Sequence, residues 1–354
     1  MLKDLKQLAL TFMVCLVVGS LFQLLHLPAP YLLGSLFGTW IAGKYTPVAF
    51  GELGVPRWFH TIVVLGLSTL IGATFNPEMI PKLSLWVGTV FAMLVTTVIA
   101  TLAGYQYLHK VRGYEHNLAF LCSLPGGQAE VIALSRDLVD KDYVVAFCHL
   151  VRVVIVVGMI PLLLALTQGR EGVAASYEVT AQLPGILELP PLTLFEFLGI
   201  GIGGYFIAKW LHIPIPHLLG PLILSALVHL TGWVEVPRIN EFILLAQVTI
   251  GGGVGAKLSK IDSKELLSYF WDAITNAVIV VSIYCAVALT IGWLGDLGPM
   301  RMVLGFIPGG IYEVTVLALI FGFDVAFVAF HHTVRVLLIF LTLPLFASRM
   351  KSSR

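Results

Sequence analysis

The sequence predicts an all-α, polytopic transmembrane protein of two homologous repeats, with about 10–12 membrane segments, some of them broken helices. Three observations carry that expectation. The chain is 58% hydrophobic and 12% charged, against roughly 45–50% and about 25% in soluble domains, so its polar side chains are too few to cover a water-soluble globule. Apolar runs of about 18 residues or more, enough for a helix to cross a bilayer core of about 30 Å, recur from end to end. Lipid offers a backbone amide no partner, which leaves closed helices as the expected form. One long stretch is present twice, as LPGGQAEVIALSRDLVDKDYVVAFCHLVRVVIVVGMIPLL from Leu124 to Leu163 and as IPGGIYEVTVLALIFGFDVAFVAFHHTVRVLLIFLTLPLF from Ile307 to Phe346.

The first half places apolar segments near 7–25, 30–43, 59–75, 84–108, 115–135 and 142–168, and the second near 191–211, 216–231, 240–256, 265–293, 299–322 and 324–348. The opening segment has the basic start and apolar run of a signal sequence but no A-x-A-like cleavage site, and reads as an uncleaved first helix. Residues 7–168 form repeat 1 and residues 191–348 repeat 2, and a connector over 169–190 carries Arg170, Glu171, Glu178 and Glu188. At one gapless offset, Pro308 standing 183 residues after Pro125, the residues Pro125, Gly126, Gly127, Glu130, His149, Arg152 and Pro161 fall on Pro308, Gly309, Gly310, Glu313, His332, Arg335 and Pro344. HLPAP from His26 and HIPIP from His212 repeat as well, each running into Leu-Leu-Gly. Duplicated halves in a membrane chain favour a secondary transporter, whose alternating access needs two movable parts around a central site. Loop Lys and Arg show a modest inside excess if every segment spans, whereas a re-entrant segment at 30–43 or at the Pro-Gly-Gly would invert the repeats. Both topologies stay open.

Pro-Gly-Gly inside an apolar helix should break it: proline lacks an amide and disfavours helix in the residue before it, and two glycines loosen the backbone. Proline then suits the first turn of a new half-helix, whose free amides are tolerable at membrane depth only against a cavity or other protein. Matched breaks in two halves point to a binding site; the bland reading is a packing kink. Glu130 and Glu313 follow five residues after the prolines. A carboxylate facing lipid there costs at least about 2.5–3.5 kcal/mol, so each should face the interior, either as a proton or cation coupling group or as a structural ion pair with Arg152 or Arg335. His149 with Arg152, and His332 with Arg335, stand three apart and share a helix face; His331 points elsewhere. A guanidinium at that depth can hold an anionic substrate or a carboxylate. The candidate substrate or ion site is therefore Pro125, Gly126, Gly127, Glu130, His149 and Arg152 with Pro308, Gly309, Gly310, Glu313, His332 and Arg335. Gly251, Gly252, Gly253 and Gly255 would either unwind a helix beside a cavity or let helices pack closely. Asn276 reads as glue between helices.

Net charge is +1, with no basic arm to suggest nucleic acid. Cys15, Cys122, Cys148 and Cys285 show no paired spacing, so neither a disulfide framework nor a thiolate metal site is expected. The expected partners are the lipid bilayer and a small-molecule or ion substrate, with room for a homo-oligomer.

The two copies of PGG-x-x-E, each followed by H-x-x-R and a helix-ending proline, together with HxPxPxLLG, resemble the AbrB-like duplicated membrane proteins, a family that also carries an ammonia monooxygenase label. The resemblance covers nearly the whole chain. It implies a multi-pass protein of the bacterial inner membrane and, for some members, a regulatory role in gene expression; it implies no set of site residues. Copper or iron chemistry needs grouped His and carboxylate ligands, whereas the ten histidines here are dispersed, so no enzyme, metal or cofactor is expected. Two functions remain: a secondary transporter of a small organic anion coupled to protons or sodium, and a membrane sensor acting on gene expression indirectly. A sensor is expected to carry a soluble output domain or long tail, and the sequence runs only about six residues past residue 348, which favours transport.

Overall fold

The computed structural model describes residues 2–45, 52–126, 131–132, 134–135, 138–260 and 267–352, and every regular element among them is helical. In order these are α1 (Leu2–Leu24), α2 (Pro30–Tyr45), α3 (Arg57–Gly72), α4 (Ile80–Gln106), α5 (His116–Ser123), α6 (Asp142–Ala181), α7 (Pro191–Trp210), α8 (Pro216–Leu230), α9 (Asn240–Ser259), α10 (Phe270–Leu294), α11 (Pro299–Phe306), α12 (Ile311–Ile320) and α13 (Val325–Ser352). Seven stretches of the described helices are long and apolar enough to span a bilayer: Lys3–Leu24, Ser84–Val111, Asp142–Leu166, Pro191–Trp210, Asn240–Ser259, Phe270–Leu294 and Val325–Thr342. The chain is a multi-pass membrane protein. Large exposed apolar side chains such as Leu24, Phe195 and Trp271 are what a lipid-facing surface requires, where a water-soluble surface would avoid such patches.

The expected segments at 30–43, 59–75 and 216–231 are helices of 16, 16 and 15 residues. At 1.5 Å per residue they reach about 24 Å, short of a bilayer core of about 30 Å. The segment at 299–322 is two helices, α11 and α12, because the chain breaks at the second Pro-Gly-Gly. Sequence punctuation sets the helix starts. Pro191, Pro216 and Pro299 open α7, α8 and α11, where an amide would have been unpaired anyway. HLPAP and HIPIP make tight connections through left-handed residues at matching places, His26 and Ala29 in one and His212 and Ile215 in the other. Ile215, β-branched at φ 48°, holds strain of about 1–3 kcal/mol. Within α6 the helix is interrupted at Gly169, φ 67°.

The chain forms two compact units that cut across the sequence halves, each drawing on both. The first comprises Met1–Leu83, Ile160–Ile261 and Thr315–Ala326. In it α2 packs on α1 and α9, and α8 packs on α7 and α3. Glycines set these approaches: a Cβ on Gly255 would meet the Leu36 carbonyl, one on Gly72 the Leu222 carbonyl, and one on Gly204 the Gly220 backbone. The glycine run of α9 lies within a continuous helix, so its small residues serve close packing, and the backbone is not unwound there.

The second unit comprises Ser84–Met159, Asp262–Val314 and Phe327–Arg354. In it α4 continues into a π turn over Tyr107–Val111, and Arg112 just beyond pairs with Asp272 at 2.6 Å. The Tyr114 hydroxyl donates to the same carboxylate at 3.2 Å. Asp272, by hydrogen bond and charge, holds the Arg112 guanidinium above its ordinary range, and burial chiefly pushes the Tyr114 phenol up.

Gly255→Ala should cost on the order of 1–3 kcal/mol through overpacking, while Gly199→Ala, where a Cβ meets nothing within 4 Å, should leave stability equal or slightly raised through helix propensity. Thermal unfolding in detergent reads both.

Candidate functional site

The second unit holds every described member of the candidate site. Gly127 and Glu130 lie outside the described residues. The half-helix α5 ends at Ser123, and Leu124 turns extended, ψ 119°, ahead of Pro125, the conformation that a following proline favours. Gly126 stands at φ 97°, a left-handed value that suits glycine. In the second copy α11 ends at Phe306, Ile307 turns extended, ψ 137°, and α12 starts at Ile311.

A helix that stops leaves its last carbonyls without intrahelical partners, and in an apolar setting each costs several kcal/mol unless it is paired. The His and Arg of the downstream helix supply the partners. In the first copy the His149 Nε2–H donates to the Leu121 carbonyl at 3.0 Å, and an Arg152 N–H donates to the Leu124 carbonyl at 3.1 Å. In the second copy His332 donates to the Leu304 carbonyl at 2.9 Å, and Arg335 donates to the carbonyls of Phe306 at 2.7 Å and Ile307 at 3.1 Å. Each arginine also donates to Nδ1 of its own histidine at 3.0 Å. Both ring nitrogens are therefore committed: Nε2 must carry the proton because a carbonyl only accepts, and Nδ1 must be bare because a guanidinium only donates. The histidines orient the arginines.

The broken ends also explain how two arginines are held at 1% exposure. Each faces a helix C-terminus carrying about half a negative charge, and the Arg335 Cζ stands 5.8 Å from the ring centre of Tyr284, within cation–π range. The Tyr284 hydroxyl is fixed by donating to Thr97 Oγ1 at 2.6 Å. These contacts do not use every donor. Nε and one terminal nitrogen of Arg152, and Nε of Arg335, are buried without a hydrogen-bond partner among the described residues.

Glu313 occupies the other side of the second break. It lies in the first turn of α12, and its carboxylate takes the space a Cβ on Gly310 would fill. A carboxylate folded back over the start of its own helix lies at the positive end of that helix's dipole. The two breaks also reach across the repeat. A Cβ on Gly126 would stand 3.1 Å from Ile339 Cδ1 and 3.3 Å from Arg335 Nε, and one on Gly309 would stand 2.9 Å from Val156 Cγ1. Each break thus packs on the H-x-x-R helix of the opposite copy.

A family model described as "Transition state regulatory protein AbrB" matches residues 36–351. The chain belongs to the AbrB family. It is similar to "Uncharacterized protein YhjN" of Bacillus subtilis (strain 168), 22% identical over 342 residues that cover 93% of this chain and 89% of that protein. It is likewise similar to "Putative regulator AbrB" of Escherichia coli (strain K12), 24% identical over 329 residues that cover 92% and 91% of the two.

In this AbrB-family chain, residues beyond the repeated motif complete the site. Asn276 donates to the Cys122 carbonyl at 3.4 Å and accepts from Ser123 at 3.3 Å, tying α10 to the end of α5 as a glue residue would. Asp272, Asn276 and Tyr284 are buried and share one face of α10 at intervals of four and eight residues, a periodicity visible in the sequence. His331 turns from the arginines to bond Thr89 at 2.9 Å and the Phe327 carbonyl at 2.8 Å.

Glu313→Ala should destabilise the fold by about 0.5–2 kcal/mol, the worth of a helix N-terminal cap, whereas Glu313→Gln, which still reaches back to the amides, should cost clearly less. Thermal melts of the two variants side by side make the comparison.

Proposed function

We propose that this protein is a secondary-transporter-like membrane protein, moving a small organic anion across a bacterial inner membrane with proton or sodium coupling. One observation carries the reading: two fully buried arginines sit at matched helix breaks, and both keep guanidinium donors that no described residue uses. A carboxylate or phosphate can accept from such donors in the plane of the fork. Pro125, Gly126, Pro308, Gly309 and Gly310 open the backbone there, His149 and His332 hold the arginines in place, and Gly127 and Glu130 complete the first copy by repeat. Glu313 supplies the titratable group for coupling. On this reading no bond is made or broken in the substrate, and neither metal nor cofactor is needed.

The second reading is a membrane regulator acting on gene expression through a partner protein, favoured by the family's description and by the name of the Escherichia coli relative. Reconstitution separates the two. Proteoliposomes screened with small organic anions under an imposed pH or sodium gradient should show uptake, reduced at least about 100-fold by Arg335→Gln or Arg152→Gln, on the order of a buried charge-assisted pair. Glu313→Gln, which keeps the shape of the side chain, should abolish the gradient-driven part while the protein stays folded. Absence of flux for every anion, with retained binding of a regulatory partner, would favour the regulator.

A further inference from the structure

We infer that the first unit carries a second, separate small-molecule site, for an uncharged polyol of monosaccharide size, in a cavity beside α9. The cavity has a volume of about 300 Å³ and is lined by Gln23, Tyr31, Tyr177, Asn240 and Gln247 among others. Asn240, Leu244 and Gln247 all line it and follow at spacings of four and three, so they form one helix face. At 1.5 Å per residue Gln247 lies about 10 Å along the helix from Asn240. Gln23 and Asn240 belong to the last turn of α1 and the first residue of α9, which puts the mouth at helix ends and Gln247 at the floor.

Gln247 is the feature that calls for a ligand. It is 5% exposed, and its Oε1 is buried with no hydrogen-bond partner among the described residues. An acceptor left in that state is costly, and Gln247 is one of the residues that line the cavity. The walls are fixed beforehand: the Tyr31 hydroxyl donates to Gln23 Oε1 at 2.8 Å, and the Tyr177 hydroxyl donates to the Leu27 carbonyl at 2.7 Å.

The lining selects the ligand class. None of the described lining residues is acidic, basic or a histidine, so a charged solute would lose its hydration without a counter-charge. A carboxamide both donates and accepts, and so does a vicinal diol, so Asn240 and Gln247 can each engage neighbouring hydroxyls. Tyr31 and Tyr177 add aromatic carbon to the lining, which suits the C–H side of a ring. The volume is at the small end for ligand pockets, which admits one sugar ring and excludes a polymer.

The test uses the full chain in lipid nanodiscs and saturation-transfer NMR, with glucose and myo-inositol as probes and glutamate and choline as charged controls. The polyols should show transfer at least ten-fold stronger than the controls. Gln247→Leu should weaken polyol binding at least ten-fold, and Asn240→Leu, at the mouth, gives a second route to the same loss where the first variant fails to fold. Arg335→Gln should leave polyol binding unchanged, which separates this site from the anion reading. Equal transfer from the charged controls, transfer that survives both cavity substitutions, or no transfer from either polyol would overturn the assignment.

Discussion

The interaction on which the second unit depends is the capping of broken helices in a setting without water. Each break exposes the last carbonyls of one half-helix, and the second also the first amides of α12, and membrane surroundings offer neither a partner. The chain sorts its charges by helix polarity. His149 and Arg152, and His332 with Arg335, close the negative ends of α5 and α11, and Glu313 sits over the positive start of α12. The spacing of three between His and Arg follows from this task, since adjacent turns of one helix must reach carbonyls three residues apart, Leu121 and Leu124 or Leu304 and Ile307.

Capping alone does not require arginine. A neutral donor would satisfy a carbonyl at lower desolvation cost, because a buried charge is expensive unless paired. The chain nevertheless holds two guanidiniums at 1% exposure, and balances them with helix ends and the Tyr284 ring. The surplus is both electrostatic and geometric: after the carbonyls are served, donors remain that no described residue uses. On the transport reading, a bound anion would accept from those donors.

Much of the architecture was legible in the sequence, because membrane helices advertise themselves by length and apolar composition, and Pro-Gly-Gly by its backbone chemistry. The break at Leu124–Gly126, the split of 299–322 into α11 and α12, and the shared face of His332 and Arg335 all follow from residue types alone. What the sequence hides is the partner. Charge pattern offers Glu130 and Glu313 as partners for Arg152 and Arg335 or as coupling groups, and Glu130 lies outside the described residues; the bonds described for the arginines run to backbone carbonyls and to their own histidines, and a carbonyl partner leaves no trace in residue identity. The role of α9's glycines was hidden for a similar reason: unwinding and close packing ask for the same small residues, and only the nearness of the Leu32 and Leu36 carbonyls to Gly251 and Gly255 separates them. The compact units were hidden too, because each assembles helices from both halves.

The cap at Glu313 bears directly on how transport would be coupled. A carboxylate over a helix start contributes about 0.3–1 kcal/mol through the dipole, and up to about 2 kcal/mol when partly buried; neutralising it weakens that contribution. Protonation or cation binding at Glu313 therefore changes how firmly the start of α12 is held, beside the same break whose carbonyls Arg335 grips. An anion that drew Arg335 from the carbonyls of Phe306 and Ile307 would loosen the other end. Substrate and coupling ion would then act on opposite ends of one break, and binding of either would alter the cost of binding the other, which is the thermodynamic requirement for coupling. On the transport reading the structural and functional roles of these residues would coincide: groups that hold the break, and that an ion can displace.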